Sequence, residues 1–171
     1  MSYALVLKTL FIVFPLGMAY GAASDFFTLT IPNRLVLALL AGFVVMVPLV
    51  GMDLETVALH GAASAIVLSC AFAFFAFGWV GGGDAKFAAV IALWLGWSHV
   101  LDFVLASAIF GGLLTLIVLI FRGKMLPAFA LRQAWVFRLH DPNAGVPYGI
   151  ALAAAALIVY PHTIWISMAI G

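Results

Sequence analysis

The chain has 171 residues, of which 67% are hydrophobic and only 8% are charged, and its formal net charge is +1. A soluble domain carries about a quarter charged residues, so this composition excludes a globular surface that faces water. A soluble enzyme and a disordered tail are therefore excluded, and the small net charge excludes nucleic acid as a partner. We expect membrane lipid to surround most of the chain.

The apolar segments predict six membrane-spanning helices in an all-α fold. A helix needs about 20 apolar residues to cross a hydrocarbon core of ~30 Å. In chain order the predicted spans are Ala4–Ala23, Leu35–Val50, Thr56–Gly78, Ala85–Gly96, Val100–Phe121 and Val146–Ile170. They leave no room for a separate soluble domain, so we expect residues 1–171 to form a single polytopic membrane domain.

The charged residues predict the orientation of these spans. The connections after the second and fourth spans carry acids without any Lys or Arg. The connections after the first, third and fifth spans contain six of the seven basic residues, namely Arg34, Lys86, Arg122, Lys124, Arg132 and Arg138. By the positive-inside rule the basic side is cytoplasmic, which places the N-terminus and the C-terminus on the periplasmic side. The long connection from Arg122 to Gly145 is expected to lie along the cytoplasmic surface.

Two of the six acids, Asp25 and Asp84, lie at the ends of predicted spans. Asp25 follows the first span and Asp84 precedes the fourth, so the topology places both on the cytoplasmic side. Gly17, Gly21 and Asp25 are four residues apart and share one helix face, where small residues allow a second helix to approach closely. Asp84 follows three glycines, which can adopt backbone angles closed to other residues and leave no side chains in the way of an approaching chain. We expect a helix to begin at about Asp84.

Paired carboxylates in this setting are suited to proteolysis. Two carboxyl groups that lie close together at low dielectric share one proton. In an aspartic protease one of them takes a proton from water while the other donates to the scissile carbonyl, without a metal or a nucleophilic side chain. The four histidines have no metal-ligand spacing, and the lone Cys70 cannot form a disulfide or a CxxC site within the chain. Each acid taken alone also fits a helix cap or an interfacial carboxylate, so the spacing indicates a paired-acid site and no more.

Three motifs resemble those of the type IV prepilin peptidases. They are Asp25 followed six residues later by Ile31-Pro32-Asn33, the run Gly81-Gly82-Gly83-Asp84-Ala85-Lys86, and Pro147-Tyr148-Gly149. The second run is similar to the GxGD motif of that family, and the third resembles the start of its last span. GxGD alone is a weak signal, whereas three motifs in the family's order together with six spans are specific.

The resemblance implies an aspartic endopeptidase in the bacterial inner membrane, with Asp25 and Asp84 as the catalytic pair and no cofactor. The remaining motif residues would support the site. The implied substrates are prepilins and pseudopilins with a short basic leader and an apolar N-terminal helix, cut after a glycine at the cytoplasmic face. The chain lacks the cytoplasmic CxxC domain that longer family members carry for methylation. It is therefore similar to the compact peptidases of tight-adherence (Flp) pilus systems.

Three other functions remain open at this point. A preflagellin-type peptidase shares the GxGD motif and differs in the leader that it cuts. A proton- or cation-coupled transporter also uses buried carboxylates near broken helices, although its acids usually lie at the middle of the membrane. A membrane scaffold without activity would need the two acids for stability alone.

Overall fold

A computed structural model describes residues 12–127 and 132–170 of the chain, and every regular element within them is a helix. In chain order these are α1 (Val13–Thr28), α2 (Asn33–Val50), α3 (Leu54–Ala76), α4 (Gly82–Leu95), α5 (Val100–Arg122), α6 (Ala134–His140), α7 (Tyr148–Val159) and α8 (Ile164–Ile170). Short 3-10 helices occupy Trp97–His99 and Tyr160–His162. The all-α prediction is therefore confirmed for the described residues.

Three helical segments in the described part of the chain are long and apolar enough to cross a membrane. They are Asn33–Val50, Leu54–Ala76 and the continuous segment Trp97–Arg122. Their surfaces carry exposed apolar side chains such as Leu37, Ile109 and Leu116, which suits contact with lipid. The predicted first span begins at Ala4, and residues 1–11 lie outside the described part of the chain.

Helix α4 forms the centre of the bundle. Every residue from Phe87 to Leu95 is buried. Helices α2, α3 and α7 all pack against it. A helix that is hydrophobic on every face is expected to be enclosed by other elements, and α4 buries its apolar surface against the neighbouring helices.

The small residues of α1 lie on the face that the sequence predicts. Gly17, Gly21 and Asp25 are all buried. Gly17 lies against Leu39 of α2, and Gly21 lies against the ring of Phe87 of α4. The absence of side chains at these two positions lets α1 approach both neighbours, which carries Asp25 into the bundle.

Buried hydrogen bonds fix the C-terminal end of α4. The indole N–H of Trp94 donates to the carbonyl oxygen of Leu39 across 2.9 Å, and the indole N–H of Trp165 donates to the carbonyl oxygen of Trp94. His60 Nδ1 lies 2.6 Å from the carbonyl oxygen of Leu93. These bonds satisfy polar atoms that would otherwise be unpaired in an apolar environment, and they join α2, α3, α4 and α8.

The predicted last span, Val146–Ile170, is not a single continuous helix. Helix α7 ends at Val159, a 3-10 turn follows, and α8 begins at Ile164. Pro161 lies in the first turn of that 3-10 helix. Proline has no N–H to donate and clashes with the preceding turn, so an α-helix does not continue through it.

The close contact between α1 and α4 leads to a first prediction. A Cβ at position 21 would lie 2.5 Å from Cζ of Phe87, which is fully buried. We expect Gly21→Ala to lower the free energy of unfolding by about 1–3 kcal/mol through overpacking. Thermal unfolding in detergent measures the effect.

The matched control is Gly61→Ala in α3, where an added Cβ meets nothing within 4 Å. We expect this control to be neutral or slightly stabilising, because alanine favours a helix over glycine. Equal stability of the two variants would contradict the tight packing of α1 on α4.

Candidate active site

A cleft of about 460 Å³ contains both acids and most of the first two sequence motifs. Its lining residues are Asp25, Leu29, Thr30, Ile31, Pro32, Asn33, Gly81, Gly82, Gly83, Asp84 and Lys86. They come from the end of α1, the turn before α2 and the start of α4. The sequence predicts that Asp25 and Asp84 lie on one side of the bundle, and the structure brings them into one cleft.

Asp25 lies in the last turn of α1 and is 4% exposed. Its carboxylate accepts a hydrogen bond from the backbone N–H of Gly149, with 2.7 Å between N and Oδ2. A Cβ at position 149 would lie 2.8 Å from that oxygen and 2.9 Å from the Cβ of Asp25. Only glycine therefore permits this approach of α7 to α1, and the bond holds the carboxylate in place.

Asp84 lies in the first turn of α4, and its carboxylate accepts a hydrogen bond from the backbone N–H of Gly81. A Cβ at position 81 would lie 2.9 Å from Oδ2 of Asp84. An acid in the first turn is also favoured by the positive end of the helix dipole. The glycine before the helix thus leaves space for the carboxylate and supplies it with a donor.

The glycine run differs from its predicted conformation. Helix α4 begins at Gly82 and not at about Asp84, so Gly82 and Gly83 are helical. Gly81 has a φ of −71°, which any residue can adopt. Close approach explains these glycines better than backbone freedom does, because a Cβ at position 82 would lie 3.3 Å from the ring of Phe75.

Burial sets the electrostatics of the cleft. Both acids lie outside the three helical segments that are long enough to span a membrane. Burial raises the pKa of Asp84, the negative charge of Asp25 raises it further, and the N–H of Gly81 opposes the shift. Burial also raises the pKa of Asp25 against the opposing effect of the Gly149 N–H. The pKa values of both carboxyls are therefore raised above the ordinary value of 3.8, so the pair retains a proton at a higher pH than an isolated aspartic acid does.

Ile31 connects all three motifs. It is 7% exposed. A Cβ on Gly83 would lie 3.5 Å from its backbone N, and a Cβ on Gly149 would lie 2.9 Å from its Cδ1. This side chain therefore fills the space between the starts of α4 and α7 beside Asp25.

The turn from α1 to α2 is short and strained. Leu29 has a φ of 52°, a left-handed conformation that costs a residue other than glycine about 1 kcal/mol or more. The hydroxyl of Ser24 donates to the carbonyl oxygen of Thr30 across 2.8 Å, and the hydroxyl of Thr28 donates to that of Ser24 across 2.7 Å. Pro32 is extended and α2 begins at Asn33, two residues before the predicted start of the second span at Leu35. The side-chain bonds hold the strained turn at the edge of the cleft.

Comparison with models of known protein families identifies the family of this chain. The model of the type IV leader peptidase family matches residues 12–116, which include Asp25 and Asp84. The chain belongs to the type IV leader peptidase family. Searches of curated proteins and of solved structures gave no match. The third motif lies beyond the matched residues, yet Gly149 brings it into contact with Asp25.

The other motif residues of this leader peptidase take different positions. Lys86 lines the cleft, and its Nζ donates to Oδ1 of Asn33 across 3.2 Å, which ties the start of α4 to the start of α2. Pro147 lies one residue before α7 and not within its first turn. The hydroxyl of Tyr148 lies 3.0 Å from that of Thr115 on α5, so Tyr148 holds α7 against α5 and does not reach towards Asp25.

Two arginines of the long connection have roles that the sequence did not predict. Arg122 Nε donates to the carbonyl oxygen of Leu139, and its Nη2 donates to those of Ala144 and Gly145. Arg138 donates to the carbonyl oxygen of Phe27 at the end of α1. These bonds fold α6 against the cleft side of the bundle. The sequence did not reveal these contacts, because the positive-inside rule already accounts for basic residues in this connection.

The described residues contain no group of three or more His, Cys, Asp or Glu side chains that could hold a metal ion. Asp53 is exposed and caps the N-terminus of α3, where its Oδ2 accepts the N–H of Thr56 across 3.1 Å. Asp102 lies in the first turn of α5 and is largely exposed. Neither acid belongs to the cleft.

The contact at Gly149 leads to a second prediction. Gly149→Ala places a methyl group against both the carboxylate and the Cβ of Asp25, so the acid must move. We expect the rate of leader-peptide cleavage to fall by about 10²-fold, the usual cost of misplacing a reacting group by ~1 Å. Single-turnover cleavage in detergent measures it.

Gly145→Ala is the control, because a Cβ there meets nothing within 4 Å. We expect it to retain the wild-type rate. Wild-type cleavage by Gly149→Ala would show that Asp25 does not depend on the third motif.

Proposed function

We propose that the chain is an intramembrane aspartic endopeptidase that removes the leader of prepilins and pseudopilins. The observation that carries this proposal is the cleft in which a buried acid, Asp25, and a half-buried acid, Asp84, each accept a backbone N–H. Membership of the type IV leader peptidase family supports the reaction class. Asp25 and Asp84 are the proposed catalytic residues, and the glycines, Ile31 and the Lys86–Asn33 pair are proposed to hold them.

The proposed mechanism uses one shared proton. Asp25, which receives the Gly149 N–H, is ionised and takes a proton from water. The water oxygen attacks the scissile carbonyl carbon, while Asp84 donates its proton to the carbonyl oxygen. The tetrahedral intermediate then collapses with cleavage of the C–N bond, and the leaving nitrogen takes up a proton from the pair. The negative charge of Asp25 raises the pKa of Asp84, which favours this assignment of the proton.

The membrane arrangement belongs to the same proposal. We propose six spans with both termini on the periplasmic side of the bacterial inner membrane, with α7 and α8 together forming the last one. The distribution of basic residues supports this orientation. Asp25 and Asp84 then lie at the cytoplasmic ends of the first and fourth spans, where the cleft meets water.

The proposed substrates have a short basic leader and an apolar N-terminal helix, as in the Flp pilus systems whose compact peptidases this chain resembles. The chain has one cysteine, so it has no paired CxxC motifs of the kind that accompany methylation in longer relatives. A preflagellin-type leader is the neighbouring alternative, and a panel of leaders separates the two.

The third prediction tests the acid pair. Asp25→Asn and Asp84→Asn each remove one member of the proton exchange. We expect each to reduce prepilin cleavage by about 10²- to 10⁴-fold or more while the fold is kept. The measurement is cleavage of a Flp-type prepilin by the purified protein in detergent, followed by mass spectrometry of the leader junction.

Asp102→Asn is the matched control, since this carboxylate is 66% exposed and lies outside the cleft. Substantial cleavage by either cleft variant would contradict the proposed pair. If the wild-type protein cleaved no member of a prepilin panel, Asp25-dependent flux into proteoliposomes would support a transporter. If it showed neither cleavage nor flux, the scaffold would remain.

The fourth prediction concerns pH. Loss of the shared proton ends catalysis, and burial together with Asp25 raises the pKa of Asp84 above the ordinary value of 3.8. We therefore expect kcat/KM to persist far above pH 3.8 and to fall only when the pH rises through the raised pKa. A pH profile of kcat/KM with an alkaline limb near the ordinary value would contradict this.

A further inference from the structure

A second, apolar groove begins at Asp84 and runs along the side of the bundle. Helix α3 packs along α4, and α5 packs along α7. The gap between α3 and α5 leaves a groove of about 520 Å³. Asp84 lines this groove as well as the cleft, so the two spaces meet at one of the acids.

Small side chains lie among larger apolar ones, such as Phe74 and Leu101, in the lining of the groove. Ala85 and Ala88 of α4 form part of its lining and are 4% and 8% exposed. Cys70 of α3 and Ala108 of α5 line the two sides. Small residues at such positions allow a further helix to approach the backbone closely, as they do between packed membrane helices.

Continuity with the cleft distinguishes between possible occupants. The groove opens at Asp84, the acid that also lines the cleft. A polypeptide with a peptide bond in the cleft therefore has a direct path for its next segment into the groove, and the apolar lining of the groove suits an apolar segment. A lipid acyl chain has no such connection to the cleft, so the groove is better matched to a polypeptide that enters both spaces.

We propose that this groove receives the apolar helix that follows the scissile bond of the substrate. The inference rests on the proposed function and extends it from the acids to the surface that selects the substrate. The scissile peptide enters the cleft between Asp25 and Asp84, and the helix then continues from Asp84 between α3 and α5. Selection of an apolar helix next to the cut site follows from the continuity of the two spaces.

The single cysteine of the chain provides the test, because Cys70 is exposed and lines the groove. The enzyme carries Asp25→Asn so that the substrate stays intact. It is mixed in membranes with a Flp-type prepilin that has one cysteine at successive positions of its apolar helix. We expect oxidative cross-linking to Cys70 at positions spaced three or four residues apart, as one helix face predicts.

The matched control moves the thiol to the far side of the same helix, with Cys70→Ala combined with Ala65→Cys. Ala65 is exposed and does not line the groove. We expect no helical pattern of cross-links from position 65. Equal cross-linking from both positions, or none from Cys70, would overturn the proposal. Labelling of the groove by a photoactivatable phospholipid in the absence of prepilin cross-links would assign it to lipid.

A kinetic experiment gives an independent result. Ala108→Phe fills the groove, whereas Ala65→Phe adds the same ring outside it. We expect Ala108→Phe to raise KM for prepilin by about tenfold with a smaller change in kcat, and Ala65→Phe to leave both unchanged. Unchanged KM in a folded Ala108→Phe protein would overturn the groove assignment while leaving peptidase activity intact. Failure of the wild-type protein to cleave any prepilin would instead overturn the proposed function and this inference with it.

Discussion

The hydrogen bond from Gly149 to Asp25 joins α7 to α1, two helices that are far apart in the sequence. An acid that is 4% exposed in an apolar bundle needs a donor, and here the backbone of α7 supplies it. The bond forms only because Gly17 and Gly21 let α1 settle against α2 and α4 and because position 149 has no side chain. The positions of α1, α4 and α7 are therefore linked through one carboxylate, and Ile31 fills the space beside it.

Much of the site could be predicted because its residues are rare in this composition. In a chain with six acids, the two that flank spans were conspicuous, and the alternation of charge placed them on the same side. Their meeting in one cleft is what the structure adds. The donors could not be predicted, since a backbone N–H leaves no mark in the sequence and Gly149 was recognisable only as part of a motif. Conformational freedom and close approach both select glycine, so the sequence could not decide between these two explanations of the glycine run.

The fold was predictable as a set of apolar helices but not as an arrangement of them. Helix α4 and the lipid-facing helices have similar composition, so their residues alone do not indicate that α4 lies at the centre. What distinguishes α4 is its partners: Trp94 and Trp165 donate indole N–H groups within the bundle, and α2, α3 and α7 enclose it. Pro161 was visible in the sequence, but the hydrophobicity around it concealed the helix break that it causes.

The length of α4 has a consequence for the surrounding bilayer. Its 14 residues rise about 21 Å, which is well short of a ~30 Å hydrocarbon core. If its Gly96 end lies at one boundary of the core, Asp84 lies several ångströms beneath the head groups of the other. The enclosing helices must then shelter a depression that admits water below the lipid surface, or the membrane must thin locally to meet it. In the proposed six-span arrangement, the hydrophobic mismatch of α4 would therefore act at the cleft, and we expect the thickness of the host membrane to influence how readily water reaches the two acids.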